Sequence, residues 1–167
     1  MNKYYTKYLL LLPLFVLIQT LVLNKILFFT YINPYLYLTL IISLPLKTHK
    51  WFLLLYAFLL AFFIDLFGGS LGVHSTATVF IAFVKSTISK ITIPHNILED
   101  TDEITLNKIG SKSFITFSFL IVTLHSIILF VIEHLHINLQ ISLKILASSL
   151  VTLILILILE IFRSSGK

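Results

Sequence analysis

Apolar residues run along this chain in long blocks, broken by short clusters of charge, glycine, proline and asparagine. Cut at those clusters, the blocks predict six helical spans, at about residues 8–27, 34–46, 51–67, 71–90, 113–132 and 141–162. The second block is anomalous, because its 13 residues, rising ~1.5 Å each, fall well short of a hydrocarbon core of ~30 Å. Asn33 followed by Pro34 suits a helix start at this point, with asparagine as the cap and proline at the first helical position. Three arrangements accommodate the short block. The first helix runs long, residues 26–33 dip into the membrane under the cover of other helices, or one span continues through Pro34.

Composition makes the membrane assignment firm. The 167 residues are 58% hydrophobic and 11% charged, against about 25% charged in soluble domains. We therefore read residues 1–167 as one polytopic, all-α integral membrane domain, a single bundle of about six transmembrane helices with little length left for a soluble module. The net charge of +5 does not point to nucleic acid, because the basic residues sit at the ends of apolar runs rather than in a patch. Lys3, Lys7, Lys47, Lys50, Lys85, Lys90, Lys108, Lys112, Arg163 and Lys167 fall on one side of a six-span topology, and only Lys25 and Lys144 on the other. That asymmetry predicts cytoplasmic termini, with Lys85 and Lys90 snorkelling from the inner end of the fourth span. Lys3 and Lys7 ahead of an apolar run imitate a secretory signal, but the first alanine is Ala57, so no small-residue cleavage site follows and a retained helix is expected.

Polar groups inside the apolar blocks are the candidates for function. Ala57, Ala61 and Asp65 follow i, i+4, i+8 spacing, which places them on one helical face and points Asp65 into a helix contact. Gly68, Gly69 and Gly72 then allow a tight turn, His74, Ser75 and Thr76 open the next helix, and Ala77, Thr78 and Ala82 continue the small-residue packing. Two readings of the acid and the histidine stand open. Asp65 and His74 form a proton or cation relay, or they form a hydrogen-bonded latch in which Asp65 caps the helix start or bonds His74. The latch is the simpler, since only Gln19 and His125 offer further polar groups within spans one, two and five. Ser148, Ser149 and Thr152 read as interhelical hydrogen bonds, Glu160 and Arg163 as an interfacial ion pair, and Tyr4, Tyr5, Tyr8, Tyr31, Tyr35, Tyr37, Trp51 and Tyr56 as interfacial anchors.

Several chemistries find no footing. Zero cysteines remove thiolate metal sites and a cysteine nucleophile. Glu133, His134 and His136 crowd one loop without the spacing of metal ligands, and GGSLG lacks the lysine of a phosphate-binding loop, so neither a metal, a cofactor nor catalytic residues are expected. The segment 94–112 carries Glu99, Asp100, Asp102 and Glu103 and is read as a solvated acidic cytoplasmic loop between spans four and five, or a docking site for a basic partner.

Two blocks, VLNKILFFTYINPYLYLTLIISLPL at 22–46 and FLLAFFIDLFGGSLGVHSTATVFIAFVK at 58–85, resemble the MreD family of rod shape-determining proteins in its Bacteroidetes form. The matching elements are Asn33, Pro34, Asp65, Leu66, Gly72, His74, Ala77 and Thr78, while the second half resembles the family only in hydropathy and span count. The resemblance implies a non-enzymatic inner-membrane component of the elongation machinery. Such a component partners MreC and works with MreB, RodA and a class B penicillin-binding protein in peptidoglycan synthesis and cell shape. It also implies a fold similar to the six-helix substrate-binding components of energy-coupling-factor transporters. A substrate-capturing membrane subunit of a small-molecule transporter is the alternative this leaves open.

Overall fold

The computed structural model describes residues 3–25, 32–100, 104–135 and 138–165, and the regular elements among them are all helical. Helix α1 spans Lys3–Leu17 and runs directly into a π-helical stretch at Ile18–Leu23. There follow α2 (Leu38–Ser43), α3 (Lys50–Gly68), α4 (Val73–Thr92), α5 (His95–Asp100), α6 (Leu106–Ile109), α7 (Ser111–His134) and α8 (Leu139–Ser165). Four segments are long and apolar enough to cross a membrane: Tyr5–Leu23, Lys50–Gly68, Ser111–His134 and Leu139–Ser164. They make this a multi-pass membrane protein in its architecture.

The other two expected spans fall short of that measure. Helix α4 has the length, at 20 residues, but carries Ser75, Thr76, Thr78, Lys85, Ser86, Thr87, Ser89 and Lys90 and packs between α3 and α7. Expected span 34–46 contains only six helical residues. Helices α1, α3, α4, α7 and α8 pack in that order, each on the next; among the described residues α1 and α8 make no comparably extensive contact. Residues 32–46 thread the space inside, where Tyr35, Tyr37, Leu38, Ile41 and Leu44 are all 1% exposed or less.

Packing follows the small-residue pattern. Ala57, Ala61 and Asp65 lie buried on one face of α3, opposite the buried Ala77, Thr78 and Ala82 of α4, and this is the most extensive helix pair. Between the two helices Gly69 and Gly72 take φ of +71° and +86°, conformations that cost glycine nothing. Leu71 sits between them at φ +45° with its side chain 99% exposed, so the chain reverses in four residues.

Several expectations need correction. Asn33 and Pro34 do not start a helix: the helix begins at Leu38, and the backbone groups of residues 33–36 bond to side chains of neighbouring elements in place of a helical ladder. Lys85 does not snorkel but is 2% exposed, its ammonium bonded to the Leu44 carbonyl. Tyr8, Tyr35, Tyr37 and Tyr56 are core residues rather than anchors, whereas Trp51 is 84% exposed. Tyr56 donates to the Tyr8 carbonyl and Tyr8 to the Ser43 carbonyl, so their hydroxyls serve backbone instead of headgroups. Segment 94–112 is no plain wet loop, since it forms α5 and α6 and buries Ile104 and Ile109. Residues 26–31 of the proposed re-entrant stretch, with Tyr31, Asp102, Glu103, His136 and Lys167, lie outside the described residues, as does the side chain of Tyr4.

Candidate functional site

Non-helical backbone inside a bundle needs protein partners for its polar groups, and side chains supply them along residues 33–36. Asn33 N–H donates to Ser148 Oγ (3.2 Å), Tyr35 N–H to Thr152 Oγ1 (2.9 Å) and Leu36 N–H to Gln19 Oε1 (3.1 Å). Gln19 Nε2 donates to the Pro34 carbonyl (2.9 Å), and Pro34 has no N–H to place. The register has a geometric basis. Two residues of extended chain advance ~6.6 Å and one i to i+4 step on a helix advances ~6 Å, so Ser148 and Thr152 of α8 meet alternate amides of the strand-like segment. Gln19 reaches its partners from the π-helical stretch, a distortion that often marks functional positions.

At the other end of the broken segment, α2 stops at Ser43 and leaves carbonyls without intrahelical donors. Tyr8 Oη donates to the Ser43 carbonyl and Lys85 Nζ to the Leu44 carbonyl, both at 2.5 Å. A cation at a helix C-terminus is favourably placed against the helix dipole.

A histidine pair lies at the centre. The Tyr37 hydroxyl is 2.9 Å from His74 Nδ1 and 2.9 Å from His125 Nε2, with Thr78 Oγ1 3.5 Å from the latter. One phenol proton serves one imidazole, so the other imidazole must donate, and the tautomers of the two rings are coupled through Tyr37. The Tyr35 ring meets both imidazoles edge-on, at centroid distances of 5.8 and 5.1 Å. His125 Nδ1, Ser126 Oγ and Ser149 Oγ are buried without a hydrogen-bond partner.

Asp65 does something different from a relay. Its Oδ1 accepts from the Ser70 hydroxyl (2.6 Å) and His74 N–H (3.0 Å), and its Oδ2 from Ser75 N–H (2.8 Å) and the Ser75 hydroxyl (2.6 Å). The carboxylate thus caps α4 from outside the helix, supplying acceptors and negative charge to free amides at its N-terminus. The His74 ring turns away to Tyr37, so the acid meets the histidine's backbone and not its imidazole.

Three hollows surround these groups. Beside the Gly69–Gly72 turn a cleft of about 570 Å³ is walled by Asn24, Asn33, Tyr35, Ser70, His74, Glu133, His134 and Lys144. The Asn33 Oδ1 is buried there without a partner. On the outer face of α3 and α4, two apolar hollows of about 570 and 530 Å³ share Phe58, Ser75 and Thr76, and so run on as one groove. Its walls are Phe58, Phe62, Phe80 and Phe83, and small residues including Gly72 line its base.

No protein-family model, curated protein or solved structure matches this chain. Its function must therefore be read from these groups. Among the described residues no three metal-ligating side chains converge. Of the residues singled out in sequence, Asn33, Pro34 and His74 meet in the broken-segment region, Asp65 and Gly72 shape the adjoining turn, and Thr78 sits beside His125. Gln19, Tyr37, Lys85 and His125 complete the arrangement and were not identified as site residues. Their signal was polarity within apolar blocks, which inside a bundle demands a partner.

Proposed function

We propose that this chain is a non-enzymatic scaffold of a cell-wall elongation complex in the bacterial inner membrane. In it the bundle holds the single transmembrane helix of an MreC-like protein, within a wider assembly of RodA, a class B penicillin-binding protein and MreB. On this reading residues 34–46 and α4 count as spans two and four, both termini are cytoplasmic, and the cleft beside the Gly69–Gly72 turn faces outward. The observation that carries the reading is that the two MreD-like blocks, 22–46 and 58–85, coincide with the broken segment and the α3–α4 hairpin. The hairpin also presents the phenylalanine-walled groove, and close approach over small residues is how helices associate where lipid removes the hydrophobic drive.

The test is affinity purification from native membranes in mild detergent, followed by photocrosslinking from Phe62 and Phe83. An MreC-like protein recovered stoichiometrically and crosslinked at both positions is the expected result; recovery of no wall-synthesis protein sinks the proposal. The transporter-subunit reading draws on one observation of its own, the cleft with its unpartnered Asn33 Oδ1. Co-purified ATPase subunits with a small polar molecule in the cleft would establish that reading instead.

A further inference from the structure

The open seam between α1 and α8 differs at its two ends. Toward the Gly69–Gly72 turn it is sealed, because the backbone of residues 33–36 bridges Gln19 to Ser148 and Thr152. Toward the chain termini a crevice of about 240 Å³ penetrates between the helices as far as α2.

The crevice is graded. Leu11 and Phe15 of α1, Leu40 of α2 and Leu159 of α8 line its apolar part, while Lys7, Glu160 and Arg163 line its polar part. Lys7, Leu11 and Phe15 follow i, i+4, i+8 spacing, so charge gives way to hydrocarbon along ~12 Å of one helix face. Glu160 is 3% exposed and already committed, accepting from Leu106 N–H (3.2 Å) and Arg163 Nη1 (3.4 Å). Two cations against one paired acid leave the polar part positive.

Charge and position select the occupant. The polar part is net positive, and the apolar part opens between two membrane-crossing segments, where the surrounding solvent is lipid. We propose that this crevice is a binding site for one anionic phospholipid, with its phosphate at Lys7 and Arg163 and part of one chain laid between Leu11, Phe15, Leu40 and Leu159. The asymmetry of basic residues assigns this end to the cytoplasmic side, whose leaflet carries anionic lipid. The site is independent of the scaffold proposal, since it uses α1, α2 and α8 and not the α3–α4 groove.

The test uses the full chain in nanodiscs of equal phosphatidylglycerol and phosphatidylcholine, released in mild detergent and weighed intact by native mass spectrometry. The expected result is one retained lipid per chain, phosphatidylglycerol over phosphatidylcholine by at least tenfold. Lys7→Gln changes an exposed side chain and is expected to cut that preference at least fivefold, and Leu11→Trp, which fills the crevice, to abolish retention. Circular dichroism checks that both variants keep their helicity; should Leu11→Trp misfold, Lys7→Gln alone decides. No retained lipid, equal retention of the two lipids, or a preference that survives Lys7→Gln would each overturn the proposal.

Discussion

Two polar clusters stand side by side in this bundle and are built on opposite principles. The Asp65 cap draws its partners from residues 70, 74 and 75, within ten positions of the acid. The broken segment draws on Gln19, His74, His125, Ser148 and Thr152, which lie between 15 and 117 positions from the groups they serve. The first forms as soon as α3 and α4 meet across a four-residue turn; the second exists only once α1, α4, α7 and α8 are all in place. Local polar residues therefore fix one helix hairpin, and distant ones fix the bundle around an irregular segment that could not survive in lipid alone.

The largest expected loss comes from the local cluster. Asp65→Ala removes four hydrogen bonds at a carboxylate only 5% exposed and leaves the His74 and Ser75 amides unpaired. A cost of about 3 kcal/mol is expected in unfolding from detergent by dodecyl sulfate titration. Asp65→Asn keeps one acceptor oxygen and should lose about half as much. A loss below about 1 kcal/mol for Asp65→Ala would mean that water reaches the capped amides and that the cluster is not a closed unit.

The contrast also explains what was legible in the sequence. Ala57, Ala61 and Asp65 share a face by helical spacing alone, and Gly69 and Gly72 announce a turn, so the hairpin and its acid are legible in residue order. The two candidate roles for Asp65 could not be separated in the same way, because both place the acid near residue 74, and only the folded geometry tells its amide from its imidazole. The broken segment was legible as an anomaly of length and no further. Proline at 34 and a block too short to span say that something irregular occurs, but nothing local says that Ser148 and Thr152 will supply the missing acceptors. Lys85 misled for a related reason. A lysine near a helix end ordinarily snorkels to water, and here the carbonyls left by the early stop of α2 hold it inside.

Gln19→Leu sharpens the comparison from the distant side. The side chain is fully buried, and its loss orphans the Leu36 N–H and the Pro34 carbonyl at once. About 2 kcal/mol is expected, as two buried backbone groups lose their partners. Gln19→Glu is the informative companion, since it keeps an acceptor for Leu36 N–H and loses the donor to Pro34. If both variants unfold at the wild-type point, the segment is held by α8 alone.

His74 is the one residue that belongs to both clusters, with its backbone N–H on Asp65 and its ring on Tyr37. Tyr37→Phe, which leaves two imidazole nitrogens facing a ring edge, is expected to cost about 1.5 kcal/mol. Combined with Asp65→Ala it should depart from additivity by about 0.5 kcal/mol or more, because either change frees the N-terminus of α4 to move and so weakens what the other removes. Gln19→Leu combined with Asp65→Ala shares no such residue and should add to within about 0.5 kcal/mol. Equal coupling in the two double mutants would erase the distinction between the clusters and make the hairpin and the broken segment one cooperative network; coupling through His74 alone makes that histidine the hinge by which events at the Gly69–Gly72 turn reach the centre of the bundle.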